Sequence, residues 1–150
     1  MFQELVKKLQ TAEKDRQFCR HTMEHFLDVA RLMYIYSLED GTAIEKDIIY
    51  AAALLHDLGR YEQLIHGTPH DIASARTAEC IMKDCDFQAE EIDAVKEAIL
   101  GHRNAASLSS DYPLTAYLYR ADKKSRNCFA CPSEPECNWP EEKKNLWIEY

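Results

Sequence analysis

Apolar residues recur along most of the chain at the three- and four-residue spacing of amphipathic helices. No stretch of useful length shows the strict alternation of apolar and polar residues that is typical of a half-buried strand. The pattern therefore predicts an all-α, single-domain bundle of about six helices. The predicted helices cover residues 2–14 and 16–38, a stretch from Thr42 to Gly59, and residues 69–84, 88–102 and 113–125.

The third predicted helix is apolar on nearly every side and ends in ionisable residues. Residues 51–55 are small or apolar, and His56 and Asp57 follow them directly. Such a helix belongs in a core, where an imidazole and a carboxylate without partners cost several kcal/mol. A divalent metal is one partner that both side chains can bind. The alternative is a capped pair at a helix end, which needs no metal.

Local signals predict where several helices begin and end. Thr42 and Glu45 have the spacing of a capping box at the start of the third helix. Gly59 permits the positive φ that closes a helix and would aim Arg60 back towards the His56–Asp57 pair. A loop is predicted to run through Gly67, with Thr68 as cap and Pro69 as the first residue of the fourth helix.

Other ionisable residues lie on faces that are predicted to point inward. His25, His70 and His102 lie on the second, fourth and fifth helices, and Asp122 continues the apolar stripe of the sixth. For each histidine alone, a core imidazole with one hydrogen bond is the alternative to a metal ligand. A buried carboxylate, by contrast, is uncommon without a partner. His21 shares the face of His25 and is predicted to be an outer partner of the site.

Length and charge narrow the functional classes. A chain of 150 residues is expected to form one domain with its own core. The formal charge of −8 argues against a general nucleic-acid or anionic-membrane surface, because such binding needs a basic face. No run of eighteen apolar residues and no basic leader is present, so we expect a cytoplasmic protein with no membrane partner. Its six cysteines are then expected to be reduced.

Three of the cysteines form a motif near the C-terminus. Cys128 and Cys131 are separated by two residues, and Cys137 follows after five more. Three thiols are one short of a tetrahedral zinc site, which Cys80, Cys85 or a histidine would have to complete. An iron–sulfur cluster and three reduced loop cysteines are the other interpretations. Residues 127–150, with a short helix from Pro140 to Ile148, are predicted to be an extension packed on the domain formed by residues 1–126.

The ordered set His25, His56–Asp57 and Asp122 resembles the HD superfamily of metal-dependent phosphohydrolases. The resemblance covers roughly residues 16–126. It depends on three motifs: His25-Phe-Leu-Asp-Val29-Ala, Leu55-His56-Asp57-Leu58-Gly59-Arg60 and Tyr119-Arg-Ala-Asp122-Lys.

The resemblance implies a metal held by His25, His56, Asp57 and Asp122. His70 and His102 occupy places where some members hold a second metal, as in small bacterial hydrolases that act on dinucleoside polyphosphates. Mixed nitrogen and oxygen ligands suit iron, manganese, zinc or cobalt. The chain lacks the Gly-Tyr-Pro signature of the best-known diesterase branch, which disfavours cleavage of cyclic dinucleotides.

The implied function is hydrolysis of a phosphoester or phosphoanhydride bond by a metal-activated water, in a nucleotide or similar small metabolite. Asp57 would bridge the metals or orient the water. Arg60, Arg103 and Lys123 are candidates for binding phosphate, the alternative being solvated surface residues, and Arg60 would also contribute to catalysis. Stretches 61–68 and 103–112 are predicted loops that set specificity. Two other functions stay open: a module that senses a phosphorylated ligand without turnover, and a redox or metal sensor based on the cysteines.

Overall fold

The fold is entirely helical over residues 1–148, the part of the chain that this computed structural model describes. Glu149 and Tyr150, at the end of the predicted extension, lie outside the described residues. Within the described range there is no strand, and no helix has both the length and the apolar character needed to cross a membrane. The predicted all-α fold is confirmed. The helices are α1 (Phe2–Ala12), α2 (Met23–Glu39), α3 (Lys46–Leu55), α4 (Arg60–His66), α5 (His70–Asp84), α6 (Ala89–Gly101) and α7 (Pro113–Lys124).

Helix α3 lies at the centre of the bundle. It contacts α2, α5, α6 and α7, and these helices also pack on one another. Their apolar faces meet in a core that includes the fully buried side chains of Phe26, Met33, Ile49, Ile99 and Leu118. The end of α3 is therefore surrounded by protein, and the residues that follow it enter the interior rather than solvent.

Helix α2 begins seven residues later than the predicted start at residue 16. Thr22 is its N-cap and its hydroxyl accepts from the backbone N–H of His25 at 3.4 Å. Before that cap, the backbone N–H of His21 donates to the buried carboxylate of Glu13 at 2.8 Å, and Cys19 has a left-handed φ of 43°. These local bonds give the backbone an alternative to the helix, so residues 13–22 form a loop.

The predicted positive φ of Gly59 is wrong, since its φ is −69°. Glycine is required here because the backbone of α5 approaches closely: a Cβ would lie 2.4 Å from both the carbonyl oxygen of His70 and the amide nitrogen of Ser74. The hydroxyl of Ser74 also accepts from the N–H of Gly59 at 2.8 Å. The chain consequently continues from α3 through a tight turn into α4, which replaces most of the loop predicted for residues 61–68.

Replacing Gly59 with Ala should destabilise the protein, because the new methyl group meets backbone atoms that cannot rotate away. Overpacking of this kind typically costs about 1–3 kcal/mol, which lowers the midpoint of thermal unfolding by roughly 3–10 °C in a domain of this size. Gly67→Ala is the comparison for a glycine without a close contact: nothing lies within 4 Å of its Cβ position, and its φ of 75° alone costs alanine about 1 kcal/mol. A Gly59→Ala protein that melts at the parent's midpoint would contradict the close-packing account.

Two predicted helix starts also differ from the structure. Helix α3 begins at Lys46, and Thr42 does not cap it, because the Thr42 hydroxyl bonds to the hydroxyl of Ser37 at 2.8 Å instead. Helix α5 begins at His70, one residue after Pro69, and has no side-chain cap. Both helices are held by tertiary packing rather than by capping bonds.

The segment after α7 is irregular and packs back on the domain. Where a helix was predicted over residues 140–148, the chain makes a single 3₁₀ turn at Glu141–Lys143. The side-chain amide of Asn145 donates to the carbonyl oxygens of Lys123 and Arg126, at 2.8 and 2.9 Å. These bonds fasten the tail to the end of α7, while the boundary at residue 126 stays a prediction.

Candidate metal centre

His56 follows α3 directly and is completely buried. Its Nδ1 lies 2.7 Å from the carbonyl oxygen of Ala53. A carbonyl can only accept, so Nδ1 carries a proton and Nε2 is the ring atom that faces the interior. No hydrogen-bond partner is present for that Nε2.

The other three inward histidines are held in the same way. The Nδ1 of each is hydrogen-bonded to an outer partner, and its Nε2 faces the interior. This is the arrangement that orients histidine ligands in metal sites. The Nδ1 contacts are His25 with the Ser125 hydroxyl at 3.2 Å, His70 with Oε1 of Gln63 at 3.0 Å, and His102 with the Ile99 carbonyl at 2.5 Å.

Donors from three parts of the fold converge in a first group, made of His25, His56, Asp57 and Asp122. One ligand atom from each lies within 4.8 Å of all the others. Oδ1 of Asp122 is 3.7 Å from Nε2 of both His25 and His56, and Oδ2 of Asp57 is 3.4 Å from Nε2 of His56. Helices α2 and α7 and the turn after α3 thus supply two imidazoles and two carboxylates around one point.

A second group consists of Asp57, His70 and His102. The two Nε2 atoms are 3.3 Å apart and lie 3.2 and 3.7 Å from Oδ1 of Asp57. Asp57 is 1% exposed. Its two oxygens face different groups, Oδ2 the first and Oδ1 the second, so Asp57 stands between them.

The residues of both groups fit divalent metal ions. Nε2 of His25 and Nε2 of His56 are buried without any hydrogen-bond partner, although buried polar groups in proteins are almost always paired. In His70 and His102, Nδ1 donates its proton to an outer partner. The lone pairs of the two Nε2 atoms therefore point at each other. A cation in each group would give all of these atoms a partner, and a mixed N/O donor set suits iron, manganese, zinc or cobalt.

The electrostatics of the site favour the metal-binding forms of His25, His70 and the two carboxylates, but not that of His56. Burial lowers the pKa of His25 and of His70 to about 3. Burial also opposes a charge on His56, but Asp57 and Asp122 raise the pKa of that imidazole to about 10. Although burial raises the pKa of both carboxyls, His56 and its neighbours hold the pKa of Asp57 and of Asp122 well below the usual range. The carboxylates are therefore ionised at neutral pH, and metal binding would displace the proton from His56.

Arg60 turns back over the centre from the start of α4. Its Nε donates to Oδ1 of Asp57 at 3.0 Å, and its side chain is 27% exposed. Of the other two predicted phosphate ligands, Arg103 is exposed and Lys123 pairs with Oδ2 of Asp122. The parts of these three residues in substrate binding stay predictions.

A cleft of about 690 Å³ opens beside the first donor group. His25, Asp122 and Arg60 line it on the side of the donor group, and neither Arg103 nor Lys123 does. Four arginines and three carboxylates, those of Glu24, Asp28 and Asp122, line the cleft, whereas the chain as a whole is acidic. Its arginines are Arg16, Arg20, Arg60 and Arg126, and its aromatic residues are Phe18 and Trp139.

The pair Glu13 and His21 supports the centre from outside. Nδ1 of His21 lies 2.7 Å from Oε1 of Glu13, and its Nε2 lies 3.1 Å from Oδ2 of Asp57. Burial lowers the pKa of His21, but the carboxylates of Asp57 and Glu13 outweigh that effect and raise it. His21 was predicted as an outer partner on a helix face but reaches Asp57 from a loop. Glu13 was missed, because nothing in the pattern of α1 distinguishes it from a surface carboxylate.

Comparisons with known proteins agree with this geometry. A family model of the HD domain matches residues 22–127. A protein of Clostridium beijerinckii described as an uncharacterized protein is 44% identical over 145 residues, which cover 97% of this chain and 90% of that protein. No solved structure matches the chain. Every member of the two donor groups lies inside the matched range, and the three tail cysteines lie beyond its end.

Proposed function

The chain belongs to the HD superfamily of metal-dependent phosphohydrolases, and we propose that it cleaves a phosphoester or phosphoanhydride bond in a nucleotide or similar small phosphorylated metabolite. The observation that carries the proposal is the pair of donor groups that share Asp57 beside a cleft lined by four arginines. A single donor group buried away from any cleft would suit a structural metal better.

The protein's own residues would have distinct parts in the reaction. His25, His56, Asp57 and Asp122 would hold one divalent metal, and Asp57, His70 and His102 a second. Bound divalent metals supply Lewis acidity towards a phosphoryl oxygen and towards water. Arg60 would bind the phosphoryl group and fix its orientation through its remaining N–H groups, since its Nε is occupied by Asp57.

The cleft supports a small anionic substrate. A volume of about 690 Å³ is within the range of small-molecule sites, and its arginines suit one or more phosphates. The aromatic rings of Phe18 and Trp139 offer faces on which a nucleobase can stack. The net charge of −8 for the whole chain favours such a substrate over a nucleic acid. We propose that residues 127–150 form an extension that supplies one wall of this cleft.

Stripping and reloading the metal tests the proposed activity. Protein purified without oxygen is treated with a chelator, divided, and reloaded separately with iron, manganese, zinc or cobalt. Phosphate release is then measured on a panel of nucleotides and sugar phosphates. We expect no release from the stripped protein, and release of phosphate from at least one nucleotide after reloading with at least one metal.

The same panel distinguishes hydrolysis from sensing. A ligand that binds the folded state raises the unfolding midpoint, by the equivalent of about 2.7 kcal/mol at a hundred times its dissociation constant. A nucleotide that stabilises every metal-loaded form without any release of phosphate would contradict the hydrolase and support a sensor of phosphorylated ligands.

A further inference from the structure

Successive tight turns hold the three tail cysteines in one compact segment. The backbone N–H of Cys131 donates to the carbonyl of Cys128, that of Glu134 to Cys131, and that of Cys137 to Glu134, at 3.0–3.1 Å. The turns are separated by extended residues at Cys131 and Cys137, each with a ψ of 122°. Lys144 fastens the segment by pairing with Glu134 at 2.8 Å.

A fourth cysteine meets them from the loop before α2. Cys19 lines the same cleft as Cys128 and Cys131, although more than a hundred residues separate them in the sequence. Gln17 in this loop hydrogen-bonds to Glu136, the neighbour of Cys137. Cys19 also has a left-handed φ of 43°, a conformation that non-glycine residues rarely adopt outside constrained sites. The loop is thus held in a strained form that faces the tail.

The electrostatics of Cys19 agree with this proximity. Burial raises the pKa of its thiol, the thiols of Cys128 and Cys137 raise it further, and Arg126 and Arg16 oppose them. Thiolates this close repel one another, and a cation bound to all of them would offset that repulsion. The guanidinium groups of the two arginines would offset the negative charge of such a complex.

The spacing of the sulfurs favours a group larger than one zinc ion. Zinc–sulfur bonds of about 2.3 Å place the donors of a tetrahedral site about 3.8 Å apart. Over residues 1–148, the groups whose donor atoms all lie within 4.8 Å of one another are the two histidine–aspartate groups, and neither contains a cysteine. An iron–sulfur cluster contains several iron and sulfide ions and separates its four thiolates further than a single zinc ion does.

We infer that Cys19, Cys128, Cys131 and Cys137 hold an iron–sulfur cluster. It would join the loop before α2 to the tail beside the cleft, which Cys19, Cys128 and Cys131 line. None of the four sulfurs is in a disulfide, and Cys80 and Cys85 lie exposed on α5 and at its end, outside the cleft. This inference does not depend on the proposed phosphohydrolase activity.

Chemical analysis of protein purified without oxygen tests the inference. Acid-labile sulfide is the decisive readout, because iron alone could belong to the histidine–aspartate centre. We expect sulfide together with iron in at least equal amount, as four-cysteine clusters require, and a broad visible absorption that bleaches on reduction. Cys19→Ser should lose most of the sulfide and absorption, whereas the matched control Cys80→Ser should retain both.

Two further measurements keep the result decisive. His56→Ala should lose metal from the histidine–aspartate centre and keep its sulfide. Circular dichroism of Cys19→Ser establishes that its helices remain. The inference is overturned if the parent protein contains no sulfide after anaerobic reconstitution with iron and sulfide. It is also overturned if the four cysteines bind a single zinc ion instead. A Cys19→Ser protein with the parent's sulfide content also overturns it.

Discussion

Asp57→Asn is expected to remove metal from both donor groups and to lower phosphate release by about a thousandfold or more. The carboxylate faces the first group with Oδ2 and the second with Oδ1, and an amide is a much weaker ligand than a carboxylate. Metals contribute several kcal/mol of transition-state stabilisation in such sites, and each 1.36 kcal/mol is tenfold in rate. Metal content and initial rates of phosphate release measure the effect.

The position of Asp57 between the groups gives this prediction a second test. His25→Ala removes a donor from the first group alone, and His70→Ala from the second alone. Each should reduce bound metal by less than Asp57→Asn does. Asp93→Asn, which changes a carboxylate that is 79% exposed on α6, is the control and should match the parent. An Asp57→Asn protein with the parent's metal content and rate would eliminate the shared-ligand arrangement.

Arg60→Ala is expected to keep the fold and the metal while losing on the order of a hundredfold in catalytic rate. Removing one preorganised donor to developing charge commonly costs about this much. The guanidinium of Arg60 is tied to Asp57 by its Nε and borders the cleft, so its position relative to the centre is fixed. Arg60→Lys should recover part of the rate, because an ammonium group replaces a planar fork with a point charge.

The comparison for Arg60 is an arginine that is equally paired but remote from the cleft. Arg76 pairs with Glu62 at 2.6 Å and is 63% exposed, so Arg76→Ala should hydrolyse the best substrate at the parent rate. If Arg60→Ala does the same, Arg60 is a structural partner of Asp57, and phosphate must be bound by Arg103 or Lys123 instead.

Helical periodicity placed the donor residues well because each lies on, or directly after, a long amphipathic helix. The spacing that buries Phe26 also turns His25 inward, and the stripe of α7 that buries Leu118 carries Asp122 with it. Residues on such faces converge wherever the helices pack around one element, here α3. The ligand candidates could therefore be predicted without knowledge of loop conformations.

Features that depend on loops or on close backbone contacts could not be predicted in this way. Gly59 was expected to serve a left-handed turn, yet its role is to let α5 approach, which depends on tertiary packing. Glu13 is the C-cap of the amphipathic α1 and is buried because the loop to α2 folds over it. Cys19 lies in the same loop and lines the same cleft as Cys128 and Cys131, and its left-handed φ is incompatible with the helix that periodicity predicted.

The most direct test of the account is to locate the metal in crystals of protein purified without oxygen. Anomalous diffraction at the absorption edge of the metal identified by elemental analysis gives its position. The account predicts a peak about 2 Å from Nε2 of His25, Nε2 of His56 and a carboxylate oxygen of Asp57 and of Asp122, the length of zinc bonds to nitrogen and oxygen ligands. Crystals that contain the metal elsewhere, with no anomalous peak between these four side chains, would contradict it.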